Sequence, residues 1–285
     1  MQLERKVAIV TAAGRGIGRT IALCLAEAGA DIVVNSYNED TTAKTASDVE
    51  VLGRKAVAMP GDITRADRIT EVVQETIDTF GKIDILVNNV GGGPKTGKKP
   101  GPGPLGKIEA HWDALYGQNL RASVLMCEAV APHLIAQKSG KIVNVGSIAG
   151  RDGYAPSDRI LTHMVPPSYC AMKAGLLSYT QSLAERLGPY NINVNSVCPG
   201  EVYTDDYEGM ATRMVANIPE FEGLAPREWF VGISQGKYPD WFRSTPLRRE
   251  QTVEDVGRAV VFLVSEAAMN ITGQSLNVDG GMLKN

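Results

Sequence analysis

The sequence has few cysteines and histidines, and those few are scattered. Cys24, Cys127, Cys170 and Cys198 form no Cys-x-x-Cys pair and no zinc spacing. A disulfide framework and a structural zinc site are both set aside, and free buried thiols in a reducing, cytoplasmic compartment are expected. His111, His133 and His163 show no ligand spacing, so no metal site is expected. No apolar run approaches the roughly 20 residues that span a bilayer. The opening "MQLERKVAIVTAAG" has no charged-then-apolar leader and runs straight into a strand pattern. Net charge is −3, with no basic block large enough for a nucleic-acid footprint. Neither membrane nor nucleic acid is expected as a partner, and no solenoid-type repeat is present.

What is there is ordinary globular material: 285 residues, 44% apolar and 21% charged. That length admits one large domain, or one domain with a lid. Short β-rich runs alternate with longer helical patterns. The strands read as "KVAIVT" (6–11), "DIVVN" (31–35), "KAVAM" (55–59), "IDILVNN" (83–89), "KIVNVGS" (141–147), "INVNSV" (192–197) and "QSLNV" (274–278). Helical stretches read as 17–28, 39–52, 65–80, 109–137, 169–187 and 253–264. Near-continuous Val and Ile imply strands buried on both faces. Repeated strand–helix–strand implies a doubly wound parallel sheet of about seven strands with right-handed crossovers, the Rossmann type of α/β fold.

Three stretches break the rhythm: 91–107, 150–168 and 205–245. All follow strands, so they leave the C-terminal edge of the sheet, where ligands bind in open α/β folds. The stretch "VTAAGRGIGRTIA" (10–22) lies between the first strand and the first helix. Glycines there let the backbone approach a pyrophosphate, which the helix N-terminus favours.

These residues resemble the short-chain dehydrogenase/reductase family. Thr11, Gly16 and Gly18 match its Thr-Gly-x-x-x-Gly-x-Gly motif, with Ala12 in place of the first glycine and Gly14 expected to take over part of the turn. "GDI" (61–63), "NNVG" (88–91), "PGEVYT" (199–204) and "ITGQSLNVDGG" (271–281) resemble further family segments, and the likeness spans nearly the whole chain. The resemblance implies one dinucleotide-binding domain over 1–285. It implies cofactor contacts from Thr11, Gly14, Arg15, Gly16, Ile17 and Gly18 in the glycine loop, and from Asn35 and Ser36 after the second strand. Asp62 and Ile63, Asn89 and Gly91, and Pro199, Gly200, Val202 and Thr204 complete the implied set. The second strand ends in Asn35, Ser36 and Tyr37, with no carboxylate to repel a 2′-phosphate, and Arg15 can pair with one. NADP(H) is therefore favoured, with Glu39 and Asp40 close enough to keep NAD(H) open.

"SYCAMKAG" places Tyr169 four residues before Lys173. Pro166 and Pro167 delimit the helix start, Ser168 is a candidate cap, and Gly188–Pro189 ends the helix. The pair thus shares one helical face. Two unit charges about 4 Å apart at an effective dielectric of about 20 interact by about 4 kcal/mol. That is enough to bring a phenol from about 10 toward neutrality, where it can give or take a proton. Ser147 can bond the substrate oxygen where charge develops. The resemblance adds Asn119 as support for a water that links Lys173 to solvent, which makes a tetrad of Asn119, Ser147, Tyr169 and Lys173. It also assigns Lys173 to the nicotinamide ribose.

The expected activity is interconversion of a ketone and a secondary alcohol by hydride transfer, with Tyr169 handling the proton. Tyr154, Leu161, His163 and Met164 lie in one insertion; His163 is left out of the catalytic set. Tyr207, Met210, Met214, Phe221, Trp229, Phe230, Tyr238, Trp241 and Phe242 lie in another. Such residues line an apolar pocket for a bulky or aromatic substrate, or pack a subdomain or subunit contact. Lys95, Lys98, Lys99 and Lys107 allow an anionic substrate such as a carboxylate or coenzyme A ester. Alternatives are a sugar-nucleotide epimerase or dehydratase, and a non-catalytic dinucleotide sensor or structural subunit. The resemblance also implies a homo-oligomer, tetramer or dimer, with the helices at 109–137 and 169–187 between subunits.

Overall fold

The most apolar runs of the sequence become one parallel sheet. The computed structural model describes residues 2–92, 105–152, 165–243 and 245–284. Among these, seven strands are formed: β1 (Val7–Val10), β2 (Asp31–Ser36), β3 (Ala56–Pro60), β4 (Ile85–Asn88), β5 (Gly140–Val145), β6 (Ile192–Pro199) and β7 (Ser275–Val278). Their order is β3-β2-β1-β4-β5-β6-β7, with every pairing parallel. The order reverses between β1 and β4. The loops leaving these two strands therefore open a crevice at the C-terminal edge.

Alternate strand residues serve the two faces of the sheet. Ala8, Val10, Ile32 and Val34 pack under α1 (Gly16–Glu27) and the last long helix, α9 (Val253–Val264), with Ile21, Leu25, Val260 and Leu263. Ile9, Val33, Leu86 and Ile142 pack on the other face against α3 (Ala66–Phe80) and α5 (Ala122–Gln137), through Val72, Val73, Met126 and Val130. Both faces are dry, which is why these strands show no alternation of polar residues. α2 (Glu39–Val51) is capped by Asn38, whose side chain accepts from the Thr41 N–H at 2.9 Å.

Three local expectations are corrected. The helix expected over 109–137 is two helices, α4 (Leu105–Tyr116) and α5, joined by a π-helical stretch, Gly117–Arg121. Ser168 does not cap α6 (Pro167–Leu187): Pro167 occupies the first turn, Pro166 precedes it in extended backbone, and no side chain caps the end. Ser168 is instead buried, 3.1 Å from His111 Nε2.

The third correction concerns 205–245, which is no plain loop. It holds α7 (Asp205–Asn217) and α8 (Pro226–Ser234), and Phe221, Trp229, Phe230 and Phe242 pack together as a core of their own. Four edge-to-face ring contacts at 4.8–5.8 Å include Tyr207 on Phe230 and Trp229 on Phe242. Lys95, Lys98, Lys99, Tyr154, Leu161, His163, Met164 and the side chain of Lys107 lie outside the described residues.

Candidate active site

The glycine loop is built by close approach. A Cβ on Gly18 would stand 2.4 Å from both the Ala12 carbonyl oxygen and Asn89 Nδ2, so only glycine lets α1 start there. A Cβ on Gly14 would meet Thr41 Oγ1 at 2.5 Å and Ser36 Oγ at 2.7 Å. The expected transfer of the turn to Gly14 does not occur. Ala12 itself holds the left-handed conformation, at φ 51°, and Gly16 holds another at 53°. Thr11 braces the loop to the end of β4: its Oγ1 accepts from the Asn89 and Val90 N–H groups at 3.0 and 3.2 Å. Asn89 Nδ2 donates to the Ala12 carbonyl at 3.2 Å. Ile17 and Gly18 enter α1, whose first turn has no acidic side chain and no side-chain cap. Its free N–H groups suit a pyrophosphate.

The four tetrad candidates form two pairs, Asn119 with Lys173 against Gly91 and Ser147 with Tyr169. A Cβ on Gly91 would lie 3.0 Å from both Asn119 Oδ1 and Lys173 Nζ. Asn119, fully buried in the π-helical stretch, accepts from the Gly92 N–H at 2.8 Å and donates to the Gly92 and Leu115 carbonyls at 3.0 and 3.2 Å. The wider π turn is a frequent device at sites of function. Lys173 Nζ donates to the Val145 carbonyl at 2.9 Å and sits 5.8 Å from the centroid of the Tyr169 ring. Two residues beyond Val145, Ser147 hydrogen-bonds Tyr169 through its side chain and also accepts from the Ala149 N–H at 3.1 Å.

The electrostatics reverse the expectation for Tyr169. Burial pushes its phenol up to about 12, and the bond from Ser147 offsets this only in part. Burial also lowers the Lys173 ammonium to about 8. Spacing along a helix places two groups side by side, but here burial moves each of them away from its charged form.

The remaining cofactor candidates divide. Asp62 accepts from the Thr64 N–H and hydroxyl at 3.0 and 2.8 Å, with Ile63 buried beside it. Gly200 is fixed by its N–H to the Val278 carbonyl at 2.9 Å, after buried Pro199. Val202 pairs with Gln251, and Thr204 caps α7, with its side chain near where a Gly16 Cβ would point, at 3.5 Å. Asn35 is not at the crevice: it is fully buried and donates to the Met59 and Gly61 carbonyls at 2.9 and 3.4 Å. Arg15 is already engaged, with Asp206 at 2.9 and 3.0 Å and Asp205 at 3.6 Å. The glycine cradle, the uncapped helix start and Lys173 together fit a dinucleotide.

Two features escaped sequence reasoning. One is this clasp of Arg15 by the start of α7, flagged only by two successive acids after Thr204. The other is Glu201, half-buried between Gly200 and Val202, whose carboxyl burial raises to about 7. A lone acid in "PGEVYT" was its only signal.

The model of the family described as short chain dehydrogenase matches residues 6–213. A 3-oxoacyl-[acyl-carrier-protein] reductase of Synechocystis sp. is 32% identical over 99% of this chain and 98% of its own length. A solved 7α-hydroxysteroid dehydrogenase, complexed with NADH and 7-oxo glycochenodeoxycholic acid, is 32% identical with a TM-score of 0.79, covering 100% of this chain and 96% of its own. L-Sorbose reductase from Gluconobacter frateurii, complexed with NADPH and L-sorbose, is 27% identical with a TM-score of 0.83, covering 100% of both chains.

Proposed function

This chain belongs to the short-chain dehydrogenase/reductase family, oxidoreductases that use a nicotinamide dinucleotide, and we propose that it interconverts a ketone and a secondary alcohol with Tyr169 handling the proton. The observation that carries this reading is the Tyr169 phenol, bonded to Ser147 and one turn from Lys173, whose ammonium lies against Gly91 just after β4. Bound there, the nicotinamide ring supplies or accepts the hydride. Ser147 holds the substrate oxygen, and Tyr169 Oη delivers its proton to that oxygen in the reductive direction. Lys173 stabilises the phenolate left behind. Asn119, locked by Gly92 and Leu115, keeps the floor of the site in register.

For the nucleotide we infer NADP(H) ahead of NAD(H). No carboxylate ends β2, and Arg15 stands on the glycine loop. Its clasp to Asp205 and Asp206 is solvent-exposed, with all three side chains more than half exposed. Such pairs contribute about 0–1 kcal/mol, so a dianionic phosphate competes for the guanidinium.

The substrate body is proposed to be bulky and largely apolar. Phe221, Trp229, Phe230 and Phe242 are spent in the core of the helical insert, which leaves half-buried Tyr203, Tyr207, Met210 and Met214 for a pocket wall. The chain is read as one domain, in a reducing cytoplasm suited to its four free thiols. Among the described residues no helix is long and apolar enough to cross a membrane. Exposed Trp112 and Tyr116 on α4 support a homodimer or tetramer, which mass in solution checks.

The deciding assay is a panel of ketones and alcohols with NADPH and NADH, followed at the reduced nicotinamide band. Turnover is expected with at least one bulky ketone. Tyr169→Phe is expected to keep nucleotide binding and lose at least about a hundredfold in turnover. Near-normal turnover in that variant would remove Tyr169 from the mechanism.

A further inference from the structure

Between β6 and the helical insert stands a carboxyl group that the mechanism above leaves idle. Both neighbours of Glu201 are anchored, Gly200 to Val278 and Val202 to Gln251, so its backbone is fixed at the C-terminal edge of the sheet. β5 and β6 are neighbours, with Val145 paired to Val197 and the Gly146 N–H bonded to the Val197 carbonyl, so Ser147 and Glu201 leave adjacent strands at the same edge. Glu201 also lines a small cavity with Phe230, Ser234, Arg249, Gln251 and Asp279. Phe230 and Ser234 belong to α8, so the cavity lies between the sheet edge and the insert.

The cavity wall is rich in acceptors and poor in donors. Burial alone accounts for the raised carboxyl of Glu201; neither a hydrogen bond nor a cation contributes. Arg249 directs its guanidinium to Asp255 at 3.8 Å. Gln251 gives its Nε2 to the Val278 carbonyl, and its Oε1 is left buried without a partner. Asp279 is spent on the Gly281 and Leu283 N–H groups at 2.9 and 2.8 Å. Two acceptors, Glu201 and Gln251 Oε1, thus face one space, and none of the described donors that line it, the Ser234 and Thr245 hydroxyls and the Arg249 guanidinium, is bonded to either. A sheltered carboxyl without a donor is costly unless a ligand supplies one. A carboxyl poised near neutrality can accept from a hydroxyl or donate to it, and in its ionised form it repels an anion.

Resting on the ketone–alcohol reading, we propose that Glu201 is a specificity-determining residue. It bonds a hydroxyl close to the substrate's carbonyl, so that hydroxyketones are preferred over plain ketones and keto acids are rejected. The proposal narrows the substrate to a carbonyl compound with a neighbouring hydrogen-bond donor.

The test uses the full chain, with NADPH and with NADH, on four matched ketones: butanone, 3-hydroxybutanone, 4-hydroxybutan-2-one and 3-oxobutanoate. The better hydroxyketone is expected to exceed butanone in kcat/KM by about tenfold or more, with 3-oxobutanoate below butanone. In Glu201→Leu the hydroxyketone-to-butanone ratio is expected to fall by about tenfold or more, and the acid is expected to be less disfavoured. Glu201→Gln keeps the shape and an acceptor, so it should retain part of the hydroxyl preference while relaxing rejection of the acid. Turnover without a hydroxyl preference, or ratios unmoved in both variants, overturns the proposal alone. No turnover of any of the four with either nucleotide overturns this proposal, and the ketone–alcohol reading falls with it only when the panel of bulky ketones is inert as well.

Discussion

At residue 12 an alanine holds φ 51°, where an L side chain crowds the following carbonyl at a cost of about 1–2 kcal/mol. The Asn89 amide, bonded to the Ala12 carbonyl, and the Thr11 brace hold it there. Ala12→Gly is therefore expected to stabilise the protein by about 0.5–1 kcal/mol, the relief of strain less the added freedom of the unfolded chain. A denaturant midpoint that rises at constant slope would show this. Beside the crevice, the raised phenol and lowered ammonium set the pH behaviour. Tyr169, at about 12, stays protonated through the neutral range and is ready to donate. Lys173, at about 8, keeps its charge below that pH and loses it above. Reductive kcat/KM should be level below about pH 8 and fall above it, while alcohol oxidation, which needs the phenolate, should climb. A reductive profile that rises through the same range would contradict the assignment. The pairing of Tyr169 with Lys173 was legible in their spacing, whereas Asn119 entered only through the family resemblance. The sign of the Tyr169 shift was not legible, because desolvation belongs to the surrounding fold. Asn35 misled for the same reason: its position in the strand is visible, its inward amide is not.

Among the elements, the strands and the helices packed on them were readable to within a few residues, since their apolar periods match their burial. The insert was not, although its start signals are present. Thr204 followed by Asp205, Asp206 and Glu208 is a helix start, and so is Pro226 followed by Glu228. Its helices were hidden because they are short, 13 and 9 residues, and bury their rings against one another, outside the strand–helix–strand alternation that marks the rest. The π-helical stretch at Asn119 was illegible as well, being a local widening without a compositional mark. The insert's core gives a sharp test. Trp229 is fully buried, and truncating it to alanine removes a contact shared by Phe221 and Phe242. Trp229→Ala should cost about 3–5 kcal/mol within the insert. Calorimetry should show either a lower single transition or a separate early one, and KM for the ketone should rise more than the dissociation constant for the nucleotide. An unchanged melting profile would mean that the ring cluster does not hold the insert.

For the molecule as a whole, the reversal of strand order between β1 and β4 gathers residues from distant parts of the chain at one edge. That is why segments near 11, 89, 119, 147, 169 and 204, distant along the chain, are gathered at that edge. The Arg15 clasp crosses the same edge and joins the first turn of the sheet to the insert, over 190 positions later in the chain. On the NADP(H) reading a single guanidinium is shared between the insert's acids and the 2′-phosphate, so engagement of one weakens the other. Dissolved ions tilt that exchange: they weaken the exposed clasp and the phosphate contact alike. Replacing both acids, as in Asp205→Asn with Asp206→Asn, should therefore raise NADPH affinity most in dilute buffer. The gain should fade as ionic strength approaches that of the cell, and titrations at several salt concentrations would trace that fading directly.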